Sequence, residues 1–442
     1  MGRRWTALLA AMGILASAGA PAGEAGDAAR VALVRAAALP LDGGAGDYDG
    51  LLESIGDSAV VMLGEATHGS AEFYRERARI TRRLIGEKGF DAVVFEAPWE
   101  PMRQADAWVR GGPGTAAEAL AGIVRFPRWT WRNTEVRDFL AWLREHNGRH
   151  PGRPVRVYGM DLYSLPESAE AVAGHLAAAA PEQAEAARRD YRCFGAYRRE
   201  PQDYGQAVEV GGEEGCGAGS RRQLAFMQLR VEAAGLPDEA LFAAWQSAHT
   251  VAAAEHYYRA MYRGDESSWN LRERHMAATL DRLGDWLKAR GGSGKIVVWA
   301  HNIHQGDARA TDQAAAGEVS LGQLVRERHG DGAFLVGFTL GGGRVRAATR
   351  WGGPDVVKTL RPPRRDSWSG LMGRAGMAAF LLVFRGRPTL AEVLASSRPE
   401  RAVGVIYLPR DEWASHYFRV GLSRQFDAVI HQAATTPLVP LP

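Results

Sequence analysis

Short apolar runs alternate with stretches of helical periodicity along much of this chain. The run Ala59–Leu63 is followed by Gly64, and Phe73, Ile80 and Leu84 then recur with the spacing of one helix face. A short apolar run between polar residues predicts a buried strand, whereas apolar positions at i, i+7 and i+11 predict an amphipathic helix. This first segment therefore predicts a strand followed by a helix.

The same alternation recurs further along the chain. Additional strands are predicted at Asp91–Phe95, Pro154–Tyr158, Lys295–Ala300, Phe334–Phe338, Ala379–Phe384 and Ala402–Tyr407. Strands that alternate with helices are typical of an α/β fold, here a mainly parallel, doubly wound sheet core flanked by helices. The run Gly341–Gly343 has neither a following helix nor a phosphate-binding lysine, so it predicts a hairpin turn.

The 442 residues are predicted to hold one α/β domain, residues 31–442, with a helical insertion or cap over about 168–284. Strand-like runs are absent from the insertion, which is rich in Ala, Glu, Gln and Arg. At the start of the chain, basic residues, a short apolar segment and small residues up to Ala18 predict a signal peptide over 1–18. A loose linker is predicted over 19–30. We therefore expect an exported protein, periplasmic or secreted, without stable membrane insertion.

The composition predicts one disulfide and gives no indication of a nucleic-acid partner. The chain contains two cysteines, Cys193 and Cys216, and an even count in an exported protein favours a disulfide. The formal net charge is +3 and there is no dense run of Lys or Arg, so nothing in the sequence indicates a nucleic-acid partner.

Polar side chains with catalytic potential follow four of the predicted strands. In chain order, these side chains are Glu65 with His68, Glu96, Asp161, and His301 with His304. Because the carboxyl ends of parallel strands meet at one edge of a sheet, we expect these groups to converge in one crevice. The insertion offers Tyr258 and Trp269 as further lining residues, and Asp161, Tyr258 and Trp269 are our candidates for substrate binding. Ordinary helix packing is the alternative for the two aromatic residues.

Arg77 lies on the apolar face of the helix that follows His68, together with Phe73. An arginine that points inward needs a carboxylate partner to offset its desolvation. Glu65 and Glu96 flank this helix in the sequence, so each is predicted as a possible partner of Arg77.

The residue types leave three functions open. No Gly-x-Ser-x-Gly motif is present and neither cysteine follows a predicted strand, which argues against a serine or thiol nucleophile. His68 can act as a general base that activates water. Alternatively, the pair His301 and His304 can bind a divalent metal ion together with the carboxylates. A third alternative is non-catalytic binding of an exported polysaccharide or its precursor.

Several motifs give the chain a more specific resemblance. They are Gly64–Gly69 (GEATHG), Gly89–Phe90, Glu96, Trp299–His304 (WAHNIH), Gly404–Tyr407, Ser415–Phe418 and Gln425–His431. In this order they resemble the erythromycin esterase family. The resemblance implies an α/β core with extra helices and hydrolysis of a small-molecule ester or lactone without a metal or other cofactor. It also implies that His68 is the base, that Glu65, Glu96 and Arg77 belong to the site, and that His301 or His304 is the second catalytic histidine.

Overall fold

The structure is a computed structural model that describes residues 24–264 and 266–442. The chain folds into two compact units. Unit one comprises the described residues up to Gly89 together with Phe126–Phe139 and Val297–Pro442, and unit two comprises the described residues of Phe90–Arg125 and Leu140–Ile296. The predicted signal peptide and residues 19–23 of the predicted linker lie outside the described residues.

The helices and strands are numbered in chain order. The helices are α1 (Glu24–Ala37), α2 (Asp49–Ile55), α3 (Ala71–Lys88), α4 (Trp99–Val109), α5 (Ala116–Ala119), α6 (Thr134–Arg149), α7 (Leu165–Ala179), α8 (Pro181–Asp190), α9 (Gln202–Glu209), α10 (Gly217–Ala234), α11 (Glu239–Arg263), α12 (Ser268–Ala289), α13 (Asn302–Gln305), α14 (Leu321–His329), α15 (Trp368–Gly373), α16 (Pro388–Val393), α17 (Glu412–Ser415) and α18 (Leu422–Gln425). The strands are β1 (Leu39–Pro40), β2 (Val60–Leu63), β3 (Ala92–Pro98), β4 (Arg156–Asp161), β5 (Ile296–Trp299), β6 (Ala333–Ala347), β7 (Val356–Thr359), β8 (Ala379–Val383), β9 (Ser397–Arg401), β10 (Tyr417–Gly421) and β11 (Ala428–Thr435).

Unit one is built on a mixed sheet with the strand order β1-β8-β11-β6-β2-β5. Strand β6 runs parallel to both β2 and β11, whereas β8 pairs antiparallel with β11 and β1. Every residue of β2 is buried, as expected for a parallel strand covered on both faces. The predicted α/β class, with a mostly parallel sheet flanked by helices, is confirmed.

Two of the predicted local structures in unit one are wrong. Residues 402–407 form isolated bridges rather than a strand, with Val403 opposite Thr67 and Ile406 opposite Ala348. The predicted hairpin at Gly341–Gly343 lies inside β6. Gly341 and Gly343 are needed for close packing, since a Cβ would lie 2.4 Å and 2.3 Å, respectively, from a carbonyl oxygen of the adjacent β11.

Helix α1 begins within the segment that was predicted to be a linker. Asp27 fixes this helix through hydrogen bonds from Arg398 at 2.6 and 2.9 Å and from Arg374 at 2.8 Å. These arginines lie far away in the sequence, so this anchoring of α1 could not be predicted from the local sequence.

Unit two combines the parallel pair β3 and β4 with a group of helices between Leu165 and Ala289. Asp161, at the end of β4, pairs with Pro98 at the end of β3. Helix α11 contacts α7, α9, α10 and α12. Apolar residues of these helices, including Val172, Ala248 and Val251, form the hydrophobic core of the helical part.

The predicted disulfide between Cys193 and Cys216 is present in unit two, and it joins two segments 23 residues apart in the sequence. Cys216 precedes α10, and its amide donates a hydrogen bond to the Tyr204 hydroxyl at 2.9 Å. That hydroxyl in turn donates to Glu255 at 2.8 Å, so the cross-link lies beside a buried polar contact with α11.

Over residues 24–264 and 266–442, no helix combines the length and the apolar character that crossing a membrane requires.

Candidate active site

A tight turn after β2 carries Glu65 and His68. Its first residue is Gly64, where a Cβ would lie 2.1 Å from the Asn302 side-chain oxygen. Asn302 bonds both main-chain groups of Phe338 in the neighbouring β6, donating at 2.7 Å and accepting at 3.2 Å. The glycine therefore allows an asparagine to occupy the space beside the turn.

Gly69, at the other end of this turn, contacts two segments that are distant in the sequence. A Cβ at Gly69 would lie 1.8 Å from the Arg346 carbonyl oxygen, so a larger residue does not fit. The Gly69 carbonyl accepts hydrogen bonds from the amides of Arg346 and Leu438, each at 3.0 Å. The Ala71 amide donates to the Thr436 carbonyl at 2.9 Å, so the C-terminal segment holds the first residue of α3.

A hydrogen-bonded chain of three side chains runs from Arg77 through Glu65 to His68. Arg77 Nη2 donates to Glu65 Oε2 at 2.7 Å, and Glu65 Oε1 lies 2.6 Å from His68 Nδ1. The Arg77 and Glu65 side chains are 0% exposed, whereas that of His68 is 12% exposed. Because a carboxylate only accepts hydrogen bonds, His68 donates from Nδ1 and keeps its lone pair on Nε2 when neutral. Of the two predicted partners of Arg77, Glu65 is the one that it binds.

Three aromatic rings surround the Arg77 guanidinium group. Its central carbon lies 4.2 Å from the Tyr74 ring centroid, 4.9 Å from that of Trp299 and 5.7 Å from that of Trp131. Nη2 binds Glu65, and Nε and Nη1 have no hydrogen-bond partner among the described residues. The buried cation is thus stabilised by one carboxylate and by the π faces of three rings.

His301 brings a second imidazole next to His68. The centroids of the two rings lie 4.7 Å apart, with an angle of 41° between their planes. His301 precedes the short helix α13, and its Nδ1 accepts a hydrogen bond from the Ile303 amide at 3.3 Å. A neutral His301 therefore carries its proton on Nε2. His304 is also buried and lies one turn further along α13.

In unit two, Arg272 joins the carboxylates at the ends of β3 and β4. Its Nη2 donates to Glu96 at 2.8 Å and to Asp161 at 2.6 Å, and its Nε donates to Asp161 at 3.0 Å. The guanidinium carbon lies 5.0 Å from the Tyr163 ring centroid. Burial opposes the charge on Arg272, but the Asp161 charge beside it helps to raise the Arg272 pKa well above its usual value.

Arg272, like Tyr258 and Trp269, is a residue of the insertion that the sequence offers as lining of a substrate cleft, with ordinary helix packing as the alternative; its bonds to Glu96 and Asp161 were not predicted. It precedes the apolar stripe Met276, Leu280 and Leu283 by one helical step, so it lies on the buried face of α12. The same argument, an arginine on an apolar helix face, had identified Arg77.

The two aromatic candidates for substrate binding lie on neighbouring helices of unit two. Tyr258 is buried in α11 within the hydrophobic core of the helices, and its ring centroid lies 5.2 Å from that of Tyr257. Trp269 lies in the first turn of α12 and is half-buried. Their predicted contact with substrate stays a prediction.

Two histidines in the C-terminal motifs have structural surroundings. Burial lowers the pKa of His416 to about 4, and its Nε2 accepts a hydrogen bond from the Leu408 amide at 3.1 Å. Burial lowers the pKa of His431 to about 3, and its Nδ1 lies 2.8 Å from the Thr339 hydroxyl. Both side chains therefore remain neutral near pH 7.

In the part of the chain that the structure describes, no three His, Cys, Asp or Glu side chains lie in an arrangement that could hold a metal ion.

The fold and the site define an α/β protein in which a carboxylate orients a partly exposed histidine. A sequence model of the erythromycin esterase family matches residues 85–435, and the chain belongs to this family. The matched range includes Glu96 and His301, whereas Glu65, His68 and Arg77 precede it.

Two curated proteins are similar in sequence. A putative hydrolase of Bacillus subtilis, YbfO, is 21% identical in an alignment of 412 residues that covers 86% of this chain and 84% of that protein. The erythromycin esterase type II of Escherichia coli is 31% identical over 116 residues, 26% of each chain. Together with the family membership, these relatives support the classification of this protein as a hydrolase.

Three solved structures share the fold. A Bacillus cereus protein has a TM-score of 0.80 and 19% identity, over 94% of this chain and 99% of that one. A protein described as a succinoglycan biosynthesis protein has a TM-score of 0.77 and 21% identity, with coverages of 95% and 100%. A mutant of the erythromycin esterase EreC in an open conformation has a TM-score of 0.63 and 18% identity, with coverages of 88% and 94%.

Proposed function

We propose that this protein hydrolyses an ester, a class that includes macrocyclic lactones, with His68 as the general base. The observation that carries the proposal is the chain from Arg77 through Glu65 to His68, which is fully buried at the arginine and partly exposed at the histidine. This arrangement leaves a basic lone pair on His68 Nε2, while Glu65 fixes the tautomer and stabilises the imidazolium once it forms.

In the proposed reaction, His68 Nε2 removes a proton from a water molecule as the water oxygen attacks the ester carbonyl carbon. The carbonyl π bond breaks, and its electron pair moves to the oxygen of a tetrahedral intermediate. When the intermediate collapses, the bond to the alcohol oxygen breaks and the leaving oxygen takes the proton from His68. One water is consumed, an acid and an alcohol are released, and His68 is neutral again.

His301 is the proposed donor to the developing oxyanion. Its Nδ1 accepts from the Ile303 amide, which leaves an N–H on Nε2 of the neutral ring. A fixed neutral donor of this kind stabilises negative charge that develops only in the transition state. His304 is the alternative second histidine, and the catalytic role of Glu96 and the substrate contacts of Asp161, Tyr258 and Trp269 stay predictions.

The proposed reaction needs no metal and no other cofactor, because His68 alone supplies the base. The test is a panel of substrates that contains a macrolide lactone, short-chain acyl esters and an acylated exopolysaccharide. The last belongs in the panel because one structural relative is described as a succinoglycan biosynthesis protein. The purified full-length protein is assayed before and after treatment with a strong chelator, with metal analysis of the treated sample.

We expect hydrolysis of at least one panel member to continue after chelation and to be lost in His68→Asn. Loss of the wild-type rate on chelation, restored by a divalent metal, would support the metal-dependent alternative. Saturable binding of a polysaccharide without product release from any substrate would support the non-catalytic alternative.

We also propose that the protein acts outside the cytoplasm. The basic and apolar N-terminal pattern predicts an export signal, and the Cys193–Cys216 disulfide is a cross-link that persists in oxidising compartments. N-terminal sequencing of the mature protein, combined with cell fractionation, tests this proposal. We expect the mature chain to begin at Gly19, and an intact Met1 on a protein confined to the cytoplasm would contradict it.

A further inference from the structure

Tyr74 contacts both ends of the hydrogen-bonded series of side chains that runs from Arg77 through Glu65 to His68. It lies in the first turn of α3 and is fully buried. Its hydroxyl donates a hydrogen bond to the main-chain carbonyl of His68 at 3.1 Å, and its ring lies 4.2 Å from the Arg77 guanidinium carbon. One side chain thus touches the backbone of the proposed base and the cation that binds its carboxylate.

We propose that Tyr74 is a positioning residue for His68 and acts through these two contacts. The inference rests on the proposed function, since it assigns a role in holding the proposed base. Tyr74 does not touch the reacting atoms in this scheme. Its contribution is to fix the His68 backbone and the Arg77 side chain, so that Glu65 meets the imidazole in one orientation.

The hydroxyl contact matters because it fixes the main-chain carbonyl of His68 itself. On its amide side, His68 donates to the Val403 carbonyl at 3.3 Å, which is a long hydrogen bond. On its carbonyl side, the Tyr74 hydroxyl is the donor. Burial, with the Glu65 charge as the next cause, holds the Tyr74 pKa well above its usual value, so the hydroxyl remains a donor throughout the working pH range.

The ring contact matters because Arg77 has so few hydrogen bonds. Only Nη2 reaches a carboxylate, and Nε and Nη1 have no hydrogen-bond partner among the described residues. The guanidinium position therefore depends on its aromatic neighbours, and the Tyr74 ring is closer than those of Trp299 and Trp131. If this ring is removed, the guanidinium gains freedom to turn and the Glu65 carboxylate turns with it.

Unit one also contains a matched control for loss of a buried tyrosine hydroxyl. Tyr48 is buried, its hydroxyl donates to Glu76, and the Arg79 guanidinium carbon lies 5.1 Å from its ring. Tyr48 therefore has the same two kinds of contact as Tyr74, a hydroxyl donor bond and a cation over the ring. Neither contact involves Glu65, His68 or Arg77.

The experiment compares Tyr74→Phe, Tyr74→Leu and Tyr48→Phe in the full-length protein. Tyr74→Phe removes the hydroxyl and keeps the ring, whereas Tyr74→Leu removes both. We expect kcat to fall about 10-fold in Tyr74→Phe and about 100-fold in Tyr74→Leu, with KM nearly unchanged. Misplacement of a catalytic group by about 1 Å can lower the rate by about 100-fold. Tyr48→Phe is expected to keep the wild-type kcat.

A second measurement needs no substrate. NMR of the protein labelled with ¹⁵N-histidine reports the Nδ1–H proton of His68, assigned by its loss in His68→Asn. We expect this resonance to shift or broaden in both Tyr74 variants and to stay in place in Tyr48→Phe. The His68 resonance thus tests the positioning role even if His68→Asn shows that His68 is not the base.

The proposal is overturned if Tyr74→Phe and Tyr74→Leu match Tyr48→Phe in both kcat and the His68 resonance. If a Tyr74 variant unfolds, the other one decides, because Tyr74→Phe retains the ring and nearly all the buried volume. A changed melting temperature with an unchanged kcat and resonance would show that Tyr74 serves packing alone, which also contradicts the proposal.

Discussion

Arg77 and Glu65 form an ion pair in which both side chains are fully buried and one hydrogen bond of 2.7 Å joins them. The second carboxylate oxygen is used by His68. Removing the arginine would therefore leave a buried carboxylate with the His68 imidazole as its hydrogen-bond partner. Removal of one member of a buried ion pair is strongly destabilising.

We predict that Arg77→Met lowers the free energy of unfolding by about 3–5 kcal/mol, the usual cost of an uncompensated buried charge. Hydrolysis should be lost as well, because the Glu65 carboxylate is no longer held in place. Urea unfolding and the initial rate measure the two effects. The control is Arg75→Met on the same helix, where the arginine side chain is 53% exposed. Equal midpoints for the two variants would contradict the prediction.

His68→Asn is expected to fold normally and to lower the rate of ester hydrolysis by about 10²–10⁴-fold, the usual contribution of a positioned base. The exposed His150 supplies the control variant His150→Asn. Circular dichroism checks the fold, and steady-state kinetics on a confirmed substrate give the rate. A near-native rate in His68→Asn would move the base to His301 or His304.

His301→Gln is expected to lower kcat by about 10²–10³-fold, as loss of an oxyanion donor does in other hydrolases. In the wild-type protein, ¹⁵N shifts of His301 should show a protonated Nε2 and an unprotonated Nδ1 at neutral pH, since Nδ1 accepts from the Ile303 amide. An unprotonated Nε2 would contradict the proposed donor role. The corresponding variant His304→Gln shows which of the two histidines acts.

Replacing both Cys193 and Cys216 by serine is expected to lower the free energy of unfolding by about 3 kcal/mol, from the entropy of the loop that the disulfide closes in the unfolded chain. Thiol titration of the native wild-type protein should detect no free thiol, and reduction should expose two. Free thiols in protein recovered from an oxidising compartment would show that the cross-link does not form.

Glu400 predicts a pH dependence of stability in unit one. Burial raises its pKa to about 7, while Ser369 donates to it from its amide at 2.8 Å and from its hydroxyl. In the unfolded chain the Glu400 carboxyl ionises near pH 4.3. Between that pH and about 7, this carboxyl therefore holds its proton more often in the folded state than in the unfolded state. The contribution of Glu400 to the free energy of unfolding is therefore fully present below about pH 4 and is lost as the pH rises through about 7.

Glu400→Gln removes that titration. We therefore expect the urea midpoint of the variant, relative to the wild type, to be higher at pH 8 than at pH 5. The difference corresponds to about 3 kcal/mol if the full shift acts on stability. A constant difference between the two proteins across this range would mean that Glu400 ionises near its ordinary pKa.

The sequence was most informative where the determining contacts are local. Glu65, His68 and Arg77 lie within thirteen residues, so a strand end and one helical phase were enough to predict that the arginine turns inward. The partners of Glu96 were not predictable in this way. It binds Arg272, which lies 176 residues away, and sequence periodicity says nothing about which carboxylate such an arginine will meet.

Strand β11 shows a second limit. It lies between β6 and β8 in the sheet, yet it was not predicted as a strand because its apolar run soon meets His431 and Gln432. The Thr339 hydroxyl and the Phe380 ring accommodate the histidine inside the sheet. Both contacts come from neighbouring strands, and their existence becomes visible only once the strands are paired.

The hydrogen bonds at Gly69 also constrain when the site can form during synthesis. The amide of Leu438 donates to Gly69, and the Thr436 carbonyl accepts from Ala71. A ribosome that has released the first hundred residues has already exposed His68, but these C-terminal partners do not yet exist. The turn that holds the proposed base therefore reaches its native form only after the residues up to Leu438 have been synthesised, and a nascent chain stalled before residue 436 should bear an incompletely formed site.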